Sequence, residues 1–265
     1  VTSVKGHIDL SKLETITGIY ACSSMFNDTR IESIDLSSLT VLNTEYVCSN
    51  MCDACSSLRT IDLRNLKTIS GSRACSYMFR NCVNVESIAL QNLESINGPY
   101  AAYCMFDIQA SYYYGTIASL DLSKLKTITG TYACNNMFQN HQNLESVKLD
   151  SLEVIGTSED SSVCYGMFRN CTKLKNISFP KLTTISGSGA LNGFLSGTAI
   201  ETISFPLLQN IDSTDAFGSS YYAMFKNCSQ LTEIHFRADM QATIEGLVNY
   251  ENKFGATNAT IYFDL

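Results

Sequence analysis

Histidine is scarce in this chain, and positive charge is nowhere concentrated. The 265 residues include three histidines, only 16% of the residues are charged, and the net charge is −7. No run of Lys and Arg is present, which argues against nucleic acid and anionic membranes as partners, because both are attracted by a basic field. No apolar run approaches the roughly 20 residues that cross a bilayer. We therefore expect no nucleic-acid partner and no membrane span in this chain.

The few histidines also leave the usual catalytic patterns unfilled. His7, His141 and His235 lie far apart, and their spacing builds no Ser–His–Asp or Cys–His arrangement. The glycines do not take phosphate-loop spacing, so nucleotide binding is not expected. The sequence therefore predicts no enzymatic activity, no cofactor and no metal site.

What the chain does contain is a repeat. An apolar alternation such as Ile61-Asp62-Leu63 occurs nine times, with a degenerate tenth copy at residues 261–263. The nine copies begin at Ile8, Ile34, Ile61, Ile88, Leu120, Val147, Ile177, Ile203 and Ile234. A period of two indicates a short strand with one buried face. One unit cannot bury its apolar face alone, so the units are predicted to stack.

The rest of each unit predicts a turn, a second extended segment and a short helix. A glycine follows the second apolar run at Gly18, Gly71, Gly98, Gly130 and Gly187, and we interpret it as a turn with positive φ. The pattern Cys-x-x-Met-Phe-x-x-Cys, as in residues 75–82, has the i, i+3, i+4, i+7 spacing of a helix face. An asparagine suited to a left-handed helix cap follows at Asn81, Asn140, Asn170 and Asn227.

The combined pattern, Leu-x-x-Ile-x-Leu-x-x-Leu-x-x-Ile-x-Gly and then Met-Phe-x-Asn-Cys, resembles the BspA-like leucine-rich repeats of bacterial surface proteins. The resemblance covers residues 4–236. Leu66 and Leu93 stand where the commoner leucine-rich repeat carries Asn, which favours the BspA-like type, although Met-Phe replaces the Ala-Phe of that family. The resemblance implies a secreted or cell-surface protein that adheres to host matrix or to other cells, without catalysis. It identifies no ligand.

We therefore predict an α/β solenoid, a leucine-rich-repeat right-handed superhelix with a parallel sheet of about nine short strands and short helices on the opposite face. The solenoid is predicted to occupy residues 1–236. Residues 237–265 are predicted to form a C-terminal capping segment, because the end of a repeat stack exposes apolar surface. Within this segment Ile244, Leu247 and Val248 suggest a helix, and residues 260–263 a last strand.

Most of the eleven cysteines follow the repeat. One column precedes the Met by three residues, at Cys22, Cys48, Cys75, Cys134 and Cys164. A second column follows the Phe by three residues, at Cys55, Cys82, Cys171 and Cys228, and His141 occupies the same column. We interpret both columns, and His141, as packed core residues. Two alternatives remain: a metal or redox cluster of Cys48, Cys52 and Cys55, and disulfides between neighbouring columns.

Two surfaces are candidates for ligand binding. Asp9, Asp35 and Asp62 form one column on successive strands, and Asp121 returns to it after Ala89. Carboxylates on strands about 4.8 Å apart repel each other by roughly 1 kcal/mol, and no basic neighbour is evident in the first three units, so a cationic partner would relieve this repulsion. A solvated acidic face is the alternative.

The second surface is an insertion that carries Tyr112, Tyr113 and Tyr114, and a later insertion ends in Tyr221 and Tyr222. Tyrosine provides the amphipathic contact area common at interfaces and sugar platforms. Alternatively, the three tyrosines fold back on the solenoid.

The sequence therefore predicts a secreted or cell-surface binding module that recognises a protein or a glycan. One alternative is a structural, receptor-binding component of a phage virion. Another is an accessory region of a larger enzyme whose catalytic part lies elsewhere.

Overall fold

The computed structural model describes residues 4–109 and 115–265, and it shows a parallel solenoid in which each repeat forms one coil. The strands of the first sheet are Lys5–Asp9, Arg30–Asp35, Thr60–Asp62, Ser87–Ala89, Ser119–Asp121, Ser146–Lys148, Asn176–Ile177, Thr202–Phe205, Glu233–Phe236 and Thr260–Phe263. They pair in parallel in three successive stretches of four, three and three strands. This confirms the predicted solenoid and shows that the degenerate tenth copy of the repeat also forms a strand.

The strand register is the predicted one. Ile34, Ile61 and Ile88 are paired across adjacent strands. Ile61 and Leu63 are 2% and 0% exposed, whereas Asp62 between them reaches the surface. The alternation of period two therefore directs one apolar column of each coil into the core.

Seven successive coils each contribute a second, very short strand, which follows the strand of the first sheet after a turn. These seven strands form a second parallel sheet. Its strands are Val41–Leu42, Thr68–Ile69, Ser95–Ile96, Thr127–Ile128, Val154–Ile155, Thr184–Ile185 and Asn210–Ile211. In most of these strands the second residue is buried and the first is partly or fully exposed, as at Ile69 and Thr68. This sheet is the predicted second extended segment.

The segment around the Met-Phe motif is not helical in the described coils, so the prediction of short helices on this face was wrong. It is a run of tight turns in which every fourth residue is left-handed, as at Tyr46, Asn50 and Ala54, with φ values of 52°, 55° and 60°. We call this run the turn segment. A path that repeats every four residues buries positions i, i+3, i+4 and i+7 much as a helix does, and the sequence spacing fits both.

Backbone hydrogen bonding explains why the turn segment replaces a helix. The amides of Cys48, Asn50 and Cys52 donate to carbonyl oxygens of the next coil at 2.8, 2.9 and 2.8 Å. The intervening amides of Ser49 and Met51 donate to the carbonyl three residues back, each at 3.1 Å. A helix would use these amides within itself. The alternation instead joins neighbouring coils and pairs the backbone groups that stacking buries.

The glycine column has two structural causes. Gly130 and Gly187 have φ values of 101° and 90°, as predicted. The positive-φ interpretation was wrong for Gly18, Gly71 and Gly98. A Cβ on Gly71 would lie 2.3 Å from the carbonyl oxygen of Thr44, so close approach of the preceding coil excludes a side chain there.

The core is a set of stacked columns that runs along the solenoid. Phe79, Phe106, Phe138 and Phe168 lie in one column, with consecutive ring centroids 5.4, 5.1 and 5.8 Å apart. All four rings are at most 2% exposed. The aromatic column follows directly from the Met-Phe motif, because stacking the repeats superimposes its members.

The C-terminal segment adds one irregular coil. It contains two 3-10 turns, Ala238–Met240 and Lys253–Gly255, one short α-helix, Gln241–Glu245, and the last strand. The helix includes the predicted Ile244, but Leu247 and Val248 lie in the turn that follows. No helix in residues 4–109 and 115–265 has the length and apolarity that a bilayer crossing needs.

Candidate binding surfaces

The first sheet brings three of the four predicted aspartates together. Asp9 is paired with Asp35, Asp35 with Asp62, and Asp62 with Ala89 on the next strand. Asp121 lies in a different stretch of the sheet, opposite Lys148. The column is therefore continuous over three coils only.

Each of these aspartates closes the turn that follows its strand. Its Oδ1 accepts a hydrogen bond from the backbone amide two residues later, at 2.9 Å from Ser11, 2.9 Å from Ser37, 3.1 Å from Arg64 and 3.0 Å from Ser123. Such Asx turns recur at strand ends. Hydrogen bonds from Ser11 and Ser123 lower the pKa of Asp9 and Asp121. The column thus has a structural role, which sequence reasoning missed.

A basic neighbour is present after all, so that part of the prediction was wrong. The guanidinium of Arg64 spans both carboxylate oxygens of Asp62, with Nε 2.9 Å from each. This pairing holds the pKa of Asp62 below its usual range. Asp35, on the preceding strand, forms no ion pair with any described cation. The column over the first three coils therefore has one ion-paired carboxylate, Asp62, and two open carboxylates, Asp9 and Asp35, which form no ion pair with a described cation.

Asp35 and Asp62 border a shallow groove of about 490 Å³ on the first sheet, which we call the sheet groove. Ser33, Thr60 and Ser87 are paired across the same adjacent strands and form a column of hydroxyl groups beside the carboxylate column, which we call the hydroxyl column. The groove is lined by His7, Ser33, Asp35, Thr60, Asp62, Arg64, Ser87 and Gln91 together with the strand residues between them. This lining offers closely spaced hydrogen-bond donors and acceptors.

The other predicted surface cannot be placed. Tyr112, Tyr113 and Tyr114 lie outside the described residues, so their role stays a prediction.

A second groove, which sequence reasoning did not assemble, lies on the turn segments of three later coils. It has a volume of about 420 Å³, and we call it the tyrosine groove. It is lined by Tyr165, Arg169, Asn170, Gly193, Ser196, Tyr221, Tyr222, Ala223, Lys226 and Asn227. Tyr221 and Tyr222 were visible as the end of an insertion. Their partner Tyr165 lies two coils upstream, and only the four-residue path of the turn segment brings it near.

The repeat found in these coils matches a known family. The family described as BspA type leucine-rich repeat region, in six copies, matches residues 8–107 and 131–248. The chain belongs to this BspA-type family.

Among solved structures, the BspA-type chain is similar to a leucine-rich cell surface protein from Faecalibacterium prausnitzii A2-165, with 14% identity and a TM-score of 0.24. The similarity covers 99% of this chain and 88% of that one. No curated protein sequence matches the chain.

The cysteines of this BspA-type solenoid are core residues. All eleven are buried and none forms a disulfide, so the disulfide alternative was wrong. Cys48, Cys52 and Cys55 have no exposed surface, and within the described coils no three metal-binding side chains converge. Thiols of the second column donate to a carbonyl oxygen of the preceding coil, at 2.9 Å for Cys55, 3.1 Å for Cys82, 3.3 Å for Cys171 and 3.0 Å for Cys228.

His141 is a packed residue, as predicted. It is 1% exposed, and its Nε2 lies 2.7 Å from the carbonyl oxygen of Phe106. Burial lowers its pKa to about 4, so the ring is neutral near pH 7 and donates through Nε2. Its other nitrogen, Nδ1, has no hydrogen-bond partner among the described residues.

Asp107, next to Phe106, is the most deeply buried carboxylate. It has no exposed surface, and neither oxygen has a hydrogen-bond partner in the part of the chain that the structure describes. Burial raises its pKa to about 6. The BspA-type core therefore contains two ionisable groups whose charged forms are disfavoured by burial. The charged form of His141 appears at low pH, and that of Asp107 appears at higher pH.

Proposed function

We propose that this chain is a non-enzymatic binding module, secreted or displayed at a cell surface, that recognises a protein or a glycan through its sheet groove. The observation that supports this most is the alignment of a hydroxyl column and a carboxylate column across the same coils. The resemblance to bacterial surface proteins supports the location.

The solenoid holds these groups in fixed positions. Each strand is bonded to its neighbours, and each aspartate is also fixed by the turn that it closes. A surface that is ordered before binding loses little conformational entropy when a ligand arrives, which favours affinity. Hydroxyls donate and accept, the open carboxylate of Asp35 accepts, and Arg64 donates, so the groove suits sugar hydroxyls or polar side chains of a protein.

The test uses Asp→Asn variants, because an Asn keeps the side-chain oxygen that accepts the turn hydrogen bond. Wild type is first screened against immobilised glycans and extracellular matrix proteins. Asp35→Asn and Asp62→Asn should weaken any binding found by about 10-fold or more, since hydrogen bonds to charged groups contribute about 1.5–3 kcal/mol. Asp121→Asn is the matched control, because it makes the same change at an equivalent turn outside the groove.

The proposal fails if wild type binds nothing in the screen, or if Asp121→Asn weakens binding as much as the other two variants. The predicted contact at Tyr112, Tyr113 and Tyr114 is tested with a triple Tyr→Ser variant. Lost binding at an unchanged melting temperature would support that contact, and a lower melting temperature with binding retained would make the tyrosines packing residues.

A further inference from the structure

The tyrosine groove is a second candidate binding surface, and its chemistry differs from that of the sheet groove. We propose that it binds an acidic saccharide, that is, a sugar chain that carries carboxylate or sulfate groups. This adds a ligand class to the proposed binding function but rests on other residues, so the two can fail separately.

Two cations in the groove lack a carboxylate partner among the described residues. Arg169 donates to the side-chain oxygen of Gln139, and the Nζ of Lys226 donates to the carbonyl oxygen of Tyr221 at 3.1 Å. No Asp or Glu lines the groove. On a chain of net charge −7, this is a local positive surface that faces neutral acceptors. An anionic ligand would therefore replace neutral hydrogen bonds by stronger charge-assisted ones.

The tyrosines supply faces and edges for a sugar ring. Tyr221 is 69% exposed, and the Nζ of Lys226 lies 4.6 Å from its ring centroid. Tyr222 packs edge-on against both Tyr221 and Tyr165, with centroids 4.8 and 5.2 Å apart. These contacts fix the rings while leaving much of Tyr221 in solvent. An exposed aromatic ring in a fixed orientation can pack on the apolar face of a sugar, while the cation beside it pairs with an anionic substituent.

The floor of the groove is open because Gly193 has no side chain. Gly193 is left-handed, with φ of 59°, and a Cβ there would meet no atom nearer than 4.0 Å. Packing alone therefore does not exclude a side chain, in contrast to Gly166, where a Cβ would lie 2.4 Å from Asn136. The same position carries a side chain at Ser24, Asn50, Tyr77, Cys104 and Asn136, and it is Gly166 in the preceding coil, where close approach excludes one.

The backbone around the groove favours a saccharide over an extended peptide. The amides of Gly193, Gly197 and Phe225 donate to carbonyl oxygens of the next coil at 2.7, 2.8 and 2.9 Å. These groups are therefore not free to add a peptide as another strand. Recognition must come from the hydroxyl, amide, aromatic and cationic side chains, which is the combination that a hydroxylated anionic ligand can satisfy.

Titration calorimetry with four probes tests the proposal: an oligogalacturonide, a sulfated heparin oligosaccharide, a neutral cello-oligosaccharide of similar length and a poly-glutamate peptide. We expect at least one acidic saccharide to bind 10-fold or more tightly than the neutral one and the peptide. The acidic probe that binds identifies the anion as carboxylate or sulfate. Lys226→Gln and Arg169→Gln should each lower the affinity about 10-fold, as should Tyr221→Ser.

Arg73→Gln is the matched control, because Arg73 lies 4.0 Å over the ring of Tyr100 on another coil and also forms no ion pair with a described carboxylate. It should leave the affinity unchanged, and so should Asp35→Asn and Asp62→Asn. The proposal is overturned if no acidic saccharide binds, if the neutral sugar or poly-glutamate binds equally well, or if Arg73→Gln weakens binding as much as Lys226→Gln. Lys226 and Tyr221 are exposed, so melting temperatures should stay near wild type and keep the test valid.

Discussion

The Nε2 of His141 lies 2.7 Å from the carbonyl oxygen of Phe106, and one coil later the thiol of Cys171 lies 3.3 Å from the carbonyl oxygen of Phe138. An imidazole and a thiol therefore do the same work in equivalent places. Thr29 and Thr198, in the same column, donate to the carbonyl three residues earlier in their own coil at 2.7 and 2.8 Å. What the column requires is a buried hydrogen-bond donor rather than sulfur.

This requirement predicts the outcome of two nearly isosteric substitutions. Cys171→Ser replaces only the sulfur and keeps a donor for the carbonyl of Phe138, whereas Cys171→Ala leaves that buried carbonyl without one. We expect the Ser variant to be more stable by about 1–2 kcal/mol in urea unfolding, although Ala is more apolar. Cys75, in the first column, forms no side-chain hydrogen bond with the described residues, so there the order should reverse and Ala should be preferred. The same order at both sites would refute the distinction.

His141 predicts a loss of stability in acid. Its pKa is about 4 in the folded chain and 6.5 when unfolded, so the unfolded chain binds more protons between these values. The contribution of His141 to the free energy of unfolding therefore falls as the pH drops from 6.5 to 4, by up to about 3 kcal/mol. His141→Cys keeps a donor without a titrating ring and should remove this contribution, so the variant should lose less stability in acid than wild type. Urea unfolding at pH 4.5 and 7 measures it, and parallel slopes in both proteins would contradict the assignment.

Asp107 predicts the opposite dependence of stability on pH. Its pKa is raised from 3.8 to about 6, so the folded chain holds the proton more tightly, and stability falls as the pH rises from 3.8 to 6. Asp107→Asn stays neutral and should be more stable than wild type by up to about 3 kcal/mol at pH 7.5. The gain should vanish below pH 4. A destabilised variant at pH 7.5 would mean that the carboxylate has a partner.

Thiol reactivity should be low and ordered. All eleven cysteines are buried, and burial raises the pKa of most of them, to about 12 for Cys104. Hydrogen bonds with Cys52 and Cys82 lower the pKa of Cys55 to about 3, but this thiol has no exposed surface, so its reactivity is limited by access. Cys22, in the first coil, is 7% exposed, and a hydrogen bond with Cys48 lowers its pKa to about 7. Mass spectrometry after native alkylation should find Cys22 modified first and the others slowly, with eleven groups modified after denaturation. Rapid native labelling of most thiols would contradict the packing.

Removal of residues 238–265 should expose the end of the core. Phe236, which has no exposed surface, packs on Phe263 with centroids 6.2 Å apart, and its strand pairs with the last strand. We expect the truncated protein to aggregate or to unfold less cooperatively in circular dichroism melts. Tyr262→Ser, at a partly exposed position of the same strand, should have little effect. A soluble truncate with an unchanged melting temperature would show that the segment is no cap.

The strands and their register could be predicted because an apolar alternation of period two, as at Ile61 and Leu63, fits a strand that buries one face. The turn segment could not, since burial at positions such as Cys48, Met51 and Cys52 is shared by a helix and by a four-residue turn path. Only the left-handed residues distinguish the turn path from a helix, and Tyr and Ala, as at Tyr46 and Ala54, are not residue types that favour the left-handed conformation. The aspartate column was visible, but its turn bonds and the pairing with Arg64 depend on side-chain directions that spacing does not contain.

The alternation of amides in the turn segment also limits how a coil can change in length. In the coil of Cys48 the even-numbered amides, such as those of Cys48 and Asn50, donate to the next coil, while the odd-numbered ones, such as those of Ser49 and Met51, close turns within their own coil. One inserted residue would exchange the two sets beyond the insertion and turn the core side chains outward. Two would restore the amide parity but misplace the left-handed residues, which recur every fourth position. Length changes that leave the stack intact must come in steps of four here, so other lengths accumulate in the loops between segments.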